Sequence, residues 1–521
     1  MLARGGKTNL HALIRCSLSV GCTIIVLFLT MSGSYMQFII RLFPEITIKS
    51  APVRKRWSKK LVDNLRILAR RIHEQSTVVL DWDRIVLNVA STDPEIEASM
   101  TEMLKCTPGI AYFSRVVAYP YSSIHDIYER TYEHWLNRLD GKTFCVRVKR
   151  TGNHDFTSIE VERYIGGGLN QNCATGGVKL KHPDETILVE IKNDTCYIVE
   201  ARNSGLGGFP LGTQEDVLTL VSGGFDSTVA TYMLMRRGLK THFCFFNLGG
   251  KDHELGVKEV AFYLWNKFGS SHRVKFVNVP FDGVVSEILQ NINPSNMGVV
   301  LKRMMLRAAE KIADRGGFDA LVTGEAISQV SSQTLPNLSA IDKVTNKLVL
   351  RPLIVMDKPE IISLARKIGT EELCASIPEY CGVISVKPSA KVNVEKLEKQ
   401  EEEFDFDVLD RAIEASRYQL IDDVVADIEA GVEEYLEVAE LSADDVVVDV
   451  RHPHEQEIRP LHIDPNPVLT IPFYALASRA DEFAADKQYL LYCDKGVMSK
   501  LHAAHLTDMG MLNIGIYRPG K

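Results

Sequence analysis

A short glycine turn, Ser-Gly-Gly-Phe-Asp-Ser at residues 222–227, limits the folds open to this chain. It follows the apolar run 217–221 and precedes a stretch of helical character that ends at Gly238. A strand, a glycine turn and a helix N-terminus in that order direct backbone N–H groups and the helix dipole at an anion. The turn has no lysine of the Walker type. We therefore predict a phosphate site that is built differently from a Walker loop.

The residue types of this turn suit a reaction in which pyrophosphate leaves. Gly223 and Gly224 allow backbone N–H groups to approach an anion without interference from a Cβ. The hydroxyls of Ser222 and Ser227 are donors for phosphate oxygens, and the Asp226 carboxylate is a ligand for Mg²⁺. The alternative is a glycine turn of purely structural use. The ordered set of residue types favours binding of Mg-ATP and transfer of AMP.

The residues around the turn alternate between strand and helix patterns. Strands are predicted at 216–221, 241–247, 273–279, 319–325 and 348–354, and one of the helices between them at 298–316. This alternation predicts a doubly wound parallel sheet, in which ligands bind at the carboxyl ends of the strands. Before it, residues 36–202 mix strands and helices in an α+β pattern. After it, residues 441–521 carry a smaller α/β pattern.

The hexapeptide resembles the loop of the PP-loop ATP pyrophosphatases, which adenylate a carbonyl oxygen. The resemblance implies that Leu220 and Val221 border the nucleotide, together with Ser222, Gly223, Gly224 and Ser227. Lys302 would neutralise phosphate charge, although a lone helical lysine is more often solvated. Gly324 falls at a strand end and Gln333 on the following loop, and both would face the nucleotide.

Charge is spread unevenly along a chain of 521 residues with a net charge of −7. Residues 41–71 contain ten Lys/Arg and two acidic residues, whereas residues 395–445 contain nineteen Asp/Glu and four basic residues. The basic end suggests a polyanion partner, and two solvated helical faces are the alternative. The ten cysteines form no CxxC pair, so a zinc knuckle and a disulfide framework are not expected.

The first 35 residues pose a separate question. Residues 18–31 are apolar and follow Arg4, Lys7 and Arg15, a pattern typical of signal peptides and short for a membrane span. The alternative is that translation begins at Met36, where a strand pattern opens directly. We favour the start at Met36, and we expect a cytoplasmic protein without a membrane partner.

Two cysteines have a distinctive setting. Cys493 follows the apolar run 489–492 and precedes Gly496 and Ser499, so a loop at a helix N-terminus would favour its thiolate or a persulfide anion. This loop resembles the active-site loop of rhodaneses, and residues 445–455 resemble their earlier Asp-Val-Arg element. Met498 stands where common rhodaneses carry arginine, which argues against thiosulfate as the donor. Cys381 lies in a turn and would by itself be an ordinary cysteine.

The motifs occur in one order over residues 36–521 and together resemble the bacterial tRNA 4-thiouridine sulfurtransferases that also supply thiazole sulfur for thiamine. The resemblance implies a multidomain α/β protein with ferredoxin-like, THUMP, PP-loop and rhodanese-like parts. The boundaries expected are an extension 1–35, a ferredoxin-like domain 36–97, a THUMP domain 98–202, a PP-loop domain 203–395, an acidic helical linker 396–440 and a rhodanese domain 441–521.

The resemblance also implies partners and roles. A tRNA would contact Lys142, Arg147, Lys149, Arg150 and Arg163, for which an exposed charged strand is the alternative explanation. A cysteine desulfurase would load sulfur on Cys493, and Cys381 would resolve the persulfide as a Cys381–Cys493 disulfide that a cellular thiol reductant reopens. A thiazole sulfur-carrier protein is a further partner, and sulfur carriage with little tRNA thiolation is the alternative function. The uridine chosen and the oligomeric state, a homodimer included, stay open.

Overall fold

The computed structural model describes residues 35–248, 250–377, 387–424 and 436–519, apart from 452, 473–474, 485, 494–498, 500–501, 504–505 and 508–509. The strands are β1 Met36–Leu42, β2 Thr77–Asp81, β3 Arg84–Val89, β4 Ile110–Pro120, β5 Phe144–Thr151, β6 Glu185–Lys192, β7 Thr195–Ser204, β8 Asp216–Val221, β9 Lys240–Asn247, β10 Lys275–Pro280, β11 Ala320–Val322, β12 Leu348–Leu350, β13 Arg417–Leu420, β14 Glu437–Val438, β15 Val446–Asp449, β16 Val468–Thr470, β17 Tyr489–Tyr492 and β18 Ile514–Tyr517.

The helices lie between these strands. They are α1 Pro44–Thr47, α2 Ala51–Ile72, α3 Pro94–Cys106, α4 Ile124–Trp135, α5 Ser158–Asn172, α6 Phe225–Arg236, α7 Gly250–Leu264, α8 Asp282–Asn291, α9 Met297–Gly316, α10 Leu335–Asp342, α11 Lys358–Ile368, α12 Glu371–Ala375, α13 Val394–Glu401, α14 Phe406–Glu414 and α15 Pro453–Ile458. Helix α5 begins at a capping box in which Thr157 and Glu160 satisfy each other's backbone N–H groups.

Two compact units make up the chain. The first contains the described residues up to 40, with 73–96 and 114–202, and the second contains 41–72, 97–113 and the residues from 203 onward. The units divide after residue 202, as the predicted THUMP and PP-loop domains do, but α2 and most of α3 cluster with the second unit rather than with the strands next to them in sequence.

Among the described residues, the first unit carries most of a seven-stranded sheet in the order β2-β3-β1-β4-β7-β6-β5. Strands β2 and β3 form an antiparallel hairpin, whereas β5 and β6 run parallel. Helix α5 packs its apolar side over β5 through Val161, Ile165 and Leu169. The mixture of parallel and antiparallel pairs agrees with the α+β pattern predicted from the sequence.

The second unit contains a sheet in the order β12-β11-β8-β9-β10-β13. Strands β8, β9, β10, β11 and β12 pair in parallel, which confirms the doubly wound sheet. The chain leaves β8 toward β9 on one side and later places β11 on its other side. The carboxyl end of β8 is therefore the topological switch point, where this class of sheet binds its ligands. Residues 222–227 follow β8 directly.

A smaller parallel sheet follows in the order β14-β18-β17-β15-β16, and it belongs to the same unit. Its central strands β15 and β17 are buried along their length, apart from the half-buried Tyr492. Fully buried parallel strands read as continuous apolar runs. The valines of 446–448 and the leucines of 490–491 have this character, so the α/β pattern predicted for the C-terminal residues is borne out by the strands.

Residues 394–424 pack against the six-stranded sheet of the second unit, whereas the sequence predicted an acidic helical linker over 396–440. Leu397, Leu409 and Ile413 are buried in the core beside α9, and β13 adds an antiparallel edge strand to β10. The Arg303 guanidinium in α9 donates to both carboxylate oxygens of Glu401, at 2.5 and 2.8 Å, in a buried pair. Residues 425–435 lie outside the described part.

No helix in the described part of the chain is both long and apolar enough to cross a membrane. The predictions made for the apolar run 18–31 and for a translation start at Met36 depend on residues 1–34. These residues lie outside the described part.

Candidate active site

The glycine turn after β8 is closely packed from one side. Gly223 has a φ of +78°, a conformation that side chains disfavour. A Cβ on Gly223 would lie 2.5 Å from Ile377 Cδ1 and 3.2 Å from Val257 Cγ2. Gly224 is the N-cap of α6, and a Cβ there would meet only Ser222 Oγ, at 3.6 Å. The first glycine is therefore required by the fold, whereas the second leaves open space above the helix N-terminus.

Hydroxyl groups hold the turn in shape. The Ser222 N–H donates to Ser227 Oγ at 3.2 Å, and Thr228 Oγ1 donates to the Gly224 carbonyl at 2.9 Å. His253 Nε2 lies 3.3 Å from the Ser222 carbonyl oxygen, and burial lowers the pKa of this imidazole. These contacts fix the backbone, so the first N–H groups of α6, which have no partner within the helix itself, are preorganised for an anion.

Gly324 brings the end of β11 against the start of α6. A Cβ at Gly324 would lie 2.5 Å from the carbonyl carbon of Asp226 and 2.5 Å from the Ser227 nitrogen. Backbone atoms of a helix cannot move aside as a side chain can. The predicted site residue Gly324 is thus placed beside the turn, and its lack of a side chain is what permits the approach.

The Asp226 carboxylate has two partners that the sequence did not suggest. Lys358 Nζ donates to Asp226 Oδ1 at 2.8 Å, and Gln329 Nε2 donates to Asp226 Oδ2 at 2.7 Å. Lys358 is the first residue of α11, after the N-cap Asp357. The position of Lys358 after β12 is the sequence feature that could have predicted this contact, because side chains at the carboxyl ends of parallel strands meet at one edge. Gln329 lies on a loop and carried no such signal.

Lys302 belongs to a second buried charge cluster next to the turn. Its Nζ donates to Glu325 Oε1 at 2.8 Å, and Arg351 Nε donates to Glu325 Oε2 at 2.8 Å. Burial opposes ionisation of Glu325, but the charges of Lys302 and Arg351 outweigh it and lower the pKa of the carboxyl group to about 2. Glu325 therefore stays ionised and holds Lys302 in the buried cluster next to Gly324.

The other predicted nucleotide residues are also found in this region. Leu220 and Val221 end β8, with Leu220 half-buried and Val221 buried. Gln333 is buried, and its Oε1 accepts from the Ala326 N–H at 3.4 Å. In this structure Gln333 shapes the loop after β11.

Cys493 lies at the end of β17 and is only 7% exposed. The Ser499 N–H donates to its Sγ at 3.4 Å, and Ser499 Oγ lies 3.4 Å from the same sulfur. Two hydrogen-bonding groups of Ser499 therefore face the sulfur of Cys493. Gly496 and Met498 lie outside the described residues.

A buried arginine supports this strand end. Arg451 donates to both carboxylate oxygens of Asp449, at 2.9 and 2.8 Å, and both side chains are buried. The guanidinium carbon lies 5.3 Å from the centre of the Tyr492 ring, next to Cys493. The predicted Asp-Val-Arg element thus positions the strand that carries the cysteine.

Cys493 and the glycine turn are connected through one hydrophobic cluster. The core around Cys493 includes Val260 and Cys374, and Phe225 and Ile377 pack against it. Phe225 is the fourth residue of the turn 222–227, and Ile377 is the residue that faces Gly223. Cys381 lies outside the described residues.

The five predicted RNA residues gather on one part of the first unit. Arg147, Lys149 and Arg150 lie on β5, the last strand of the sheet order, and Lys142 precedes it. Arg163 is exposed on α5, which packs on β5. Lys142 pairs with Glu185 at 2.7 Å, and Arg150 Nη1 lies 3.1 Å from His154 Nδ1. Arg147 Nη2 donates to the Leu180 carbonyl at 2.9 Å, so three of these cations have partners within the first unit.

Asp226 supplies one carboxylate at the turn that could coordinate Mg²⁺. No group of three or more His, Cys, Asp or Glu side chains in the described residues is arranged to hold a metal. Mg²⁺ on a nucleotide needs only one or two carboxylates beside phosphate oxygens and water. The donor set fits if Asp226 exchanges a contact with Lys358 or Gln329 for the ion.

The chain is similar over almost its whole length to proteins named tRNA sulfurtransferases. The chain is 61% identical over 484 residues to the tRNA sulfurtransferase of Saccharophagus degradans, which covers 93% of this chain and 100% of that protein. The chain belongs to the tRNA sulfurtransferase family. The tRNA sulfurtransferases of Colwellia psychrerythraea and Shewanella piezotolerans are 53% and 52% identical to this chain over the same coverage.

Family models match three successive parts of the chain. A ThiI ferredoxin-like domain matches residues 37–114, a THUMP domain residues 121–199 and the thiamine biosynthesis protein (ThiI) residues 212–406. A crystal structure of a 4-thiouridine synthetase in complex with RNA and ATP has a TM-score of 0.66 and 25% identity, covering 74% of this chain and 100% of its own. The predicted family and fold class are confirmed.

Proposed function

We propose that this tRNA sulfurtransferase converts a uridine of tRNA to 4-thiouridine in an ATP-dependent reaction. The observation that carries the proposal is the packing of Phe225 and Cys493 around one hydrophobic cluster. This shared core supports a reaction that uses both the phosphate turn and Cys493. The ATP and RNA bound to the similar synthetase support both substrates.

In the proposed first step, O4 of the uridine attacks the α-phosphorus of ATP and pyrophosphate leaves. The N–H groups at the start of α6 would bind the departing phosphates. Lys358 contacts Asp226 of the turn and Lys302 contacts Glu325 beside Gly324, and both would offset developing negative charge. Asp226 would hold Mg²⁺, which neutralises phosphate charge when bound.

In the proposed second step, sulfur replaces the activated oxygen. A cysteine desulfurase transfers sulfur to Cys493, forming a persulfide whose terminal sulfur attacks C4 while AMP leaves with the oxygen. Cys381 then attacks Cys493 Sγ, which breaks the sulfur–sulfur bond, releases 4-thiouridine and leaves a Cys381–Cys493 disulfide. A cellular dithiol reduces that disulfide. Release of sulfide before attack on C4 is the other form of the same transfer.

The RNA would bind through backbone contacts of the first unit. Arg147 and Lys149 project as exposed residues from β5, with exposed Arg163 on the neighbouring helix. Such cations contact phosphates and position an RNA without reading its sequence. The exposed basic residues of α2, in the second unit, offer a further electrostatic contribution.

Reconstitution tests the proposal directly. The protein is incubated with unmodified tRNA, Mg-ATP, cysteine, a cysteine desulfurase and dithiothreitol, and nucleosides from the digested RNA are measured by mass spectrometry. We expect 4-thiouridine that requires ATP and disappears in Cys493→Ser, with normal yield in the control Cys173→Ser. Thiouridine formed by Cys493→Ser at the normal rate would contradict the role of Cys493.

A second candidate function is sulfur donation for the thiazole of thiamine, with a sulfur-carrier protein as acceptor. The match to a model named for thiamine biosynthesis favours it. Sulfur transfer to a carrier needs Cys493 but need not use the phosphate turn. Asp226→Asn tests whether the two functions are separable. If the variant still transfers sulfur to the carrier but no longer thiolates tRNA, only tRNA thiolation uses the phosphate turn. If both activities are lost, both use the turn.

A further inference from the structure

One helix contacts both the phosphate turn and the C-terminal sheet. On the side of the turn, α7 supplies His253 to the Ser222 carbonyl and places Val257 against Gly223. A Cβ on Gly256 would lie 3.0 Å from Ile377 Cγ1, so this helix, Ile377 and the turn are in mutual contact. The first part of α7 is therefore fixed relative to the nucleotide site.

The following turn of α7 contacts the region that carries Cys493. Val260 is buried in the same core as Cys493, and Tyr263 packs against it. Glu259 Oε1 lies 2.8 Å from His502 Nε2, and both side chains are buried. His502 follows Ser499 by three residues, and Ser499 donates to the Cys493 sulfur. This buried contact between a carboxylate and an imidazole connects α7 with the segment that carries Ser499.

We propose that Glu259 and His502 are positioning residues that hold the C-terminal α/β region, residues 436–519, on α7 in a closed arrangement. In this arrangement Cys493 is shielded from solvent and lies in the cluster that reaches the phosphate turn. A sulfur donor of protein size cannot reach a thiol that is 7% exposed. The region must therefore leave α7 for loading and return for transfer. The significance for sulfur transfer rests on the function proposed above, whereas the closed arrangement does not.

The pair is suited to a latch because its loss acts locally. Removing one partner of a buried polar contact leaves the other polar group without compensation, which favours an arrangement that exposes it to water. Here exposure requires only that the C-terminal region separate from α7. The apolar contacts of Val260 and Tyr263 would then be the remaining attachment.

Alkylation of the full-length protein by iodoacetamide tests the latch. The rate is followed separately for the peptides containing Cys493 and Cys244 by mass spectrometry. In Glu259→Gln and in His502→Gln we expect Cys493 to react roughly tenfold faster, with the rate of Cys244 unchanged. Cys244 is fully buried in β9 and reports any opening of the nucleotide domain. The matched control is Glu482→Gln, which removes the exposed pair with Arg479 in the same region.

Two outcomes would overturn the inference. An unchanged Cys493 rate in both variants would show that the pair does not hold the region closed. Equal acceleration of Cys493 and Cys244 in both variants would assign the pair a general role in stability. The assay needs no ATP, tRNA or sulfur donor, so its result is independent of whether the proposed thiolation occurs. A normal thiouridine yield without a change in alkylation would likewise leave the proposed function intact and reject the latch.

Discussion

Lys358 Nζ lies 2.8 Å from Asp226 Oδ1, so the carboxylate of the phosphate turn is neutralised by a lysine from a distant part of the sequence. The lysine begins α11 and the aspartate lies in the first turn of α6. Each side chain is at the carboxyl edge of the parallel sheet. A bound nucleotide would compete with Asp226 for the lysine, because phosphate oxygens carry more negative charge than one carboxylate.

Replacement of Lys358 tests this relationship. Lys358→Met should lower kcat for tRNA thiolation by roughly 10²–10³, as expected when one preorganised charge is removed from a phosphoryl-transfer site. Lys358→Arg should retain part of the rate because it keeps the charge. The control is Lys367→Met, an exposed lysine on the same helix. A full rate for Lys358→Met in the reconstituted assay would remove this residue from the site.

Replacing either of two adjacent glycines of α5 with alanine should change the free energy of unfolding in opposite directions. Gly167 is exposed with no atom within 4 Å of an added Cβ, whereas a Cβ on Gly168 would lie 2.4 Å from the Tyr128 ring. Gly167→Ala should raise the free energy of unfolding by about 0.5–1 kcal/mol, and Gly168→Ala should lower it by about 1–3 kcal/mol. Thermal unfolding of both variants provides the comparison, and equal shifts would contradict it.

The same substitution tests the RNA surface. If the glycines allow an RNA backbone to approach α5, Gly167→Ala should weaken tRNA binding although it stabilises the fold. Filter binding at fixed salt measures the effect, because electrostatic affinity changes steeply with salt. Unaltered affinity would place the RNA elsewhere on the protein.

The buried pair between Arg303 and Glu401 should be essential to the nucleotide domain. Glu401→Gln should destabilise α9 and α13 by about 3–5 kcal/mol, because it leaves a buried guanidinium without its counter-charge. Asp410→Asn is the matched control, since Asp410 forms an exposed pair with Lys311 between the neighbouring elements α14 and α9, and it should cost less than about 1 kcal/mol. Hydrogen exchange of residues 297–316 measures both; equal protection would disprove the difference.

Glu325 should give the stability of this domain a dependence on acid pH. Its pKa is lowered to about 2 in the folded chain by Lys302 and Arg351, against an ordinary value of 4.5. A carboxyl group with a lowered pKa contributes stability above its unfolded value, and the contribution is lost as the pH falls from 4.5 toward 2. The urea midpoint of Glu325→Gln should therefore lie well below that of the unaltered chain at pH 7, and the gap should narrow by pH 3. A constant gap would contradict this.

The sequence predicted the parallel sheet and the phosphate turn because both depend on local patterns. Apolar runs separated by helices are visible without a structure, and so is the order of glycines and hydroxyls. The roles of Lys358 and Gln329 were not predictable in this way, since their contacts with Asp226 join residues more than a hundred positions apart. For Lys358, the sequence indicated only a charged residue in the loop after a strand.

Composition misled the prediction for the acidic segment. Its many carboxylates suggested a solvated connector, but Leu397, Leu409 and Ile413 recur at spacings that bury one side of α13 and α14. The strand β13 was also missed, because Arg417–Leu420 is short and polar. Its conformation depends on pairing with β10, a partner about 140 positions earlier, and no local preference reveals such a pairing.

That pairing has a consequence for synthesis of the chain on the ribosome. Strand β10 would otherwise end the sheet with unpaired backbone groups, which are a template for association with other chains. The strand that covers it is made about 140 residues later, after α9 and the whole of the parallel core. A nascent chain therefore carries an uncovered sheet edge until β13 leaves the ribosome. Premature termination before residue 417 should yield a product prone to aggregation rather than a smaller functional enzyme.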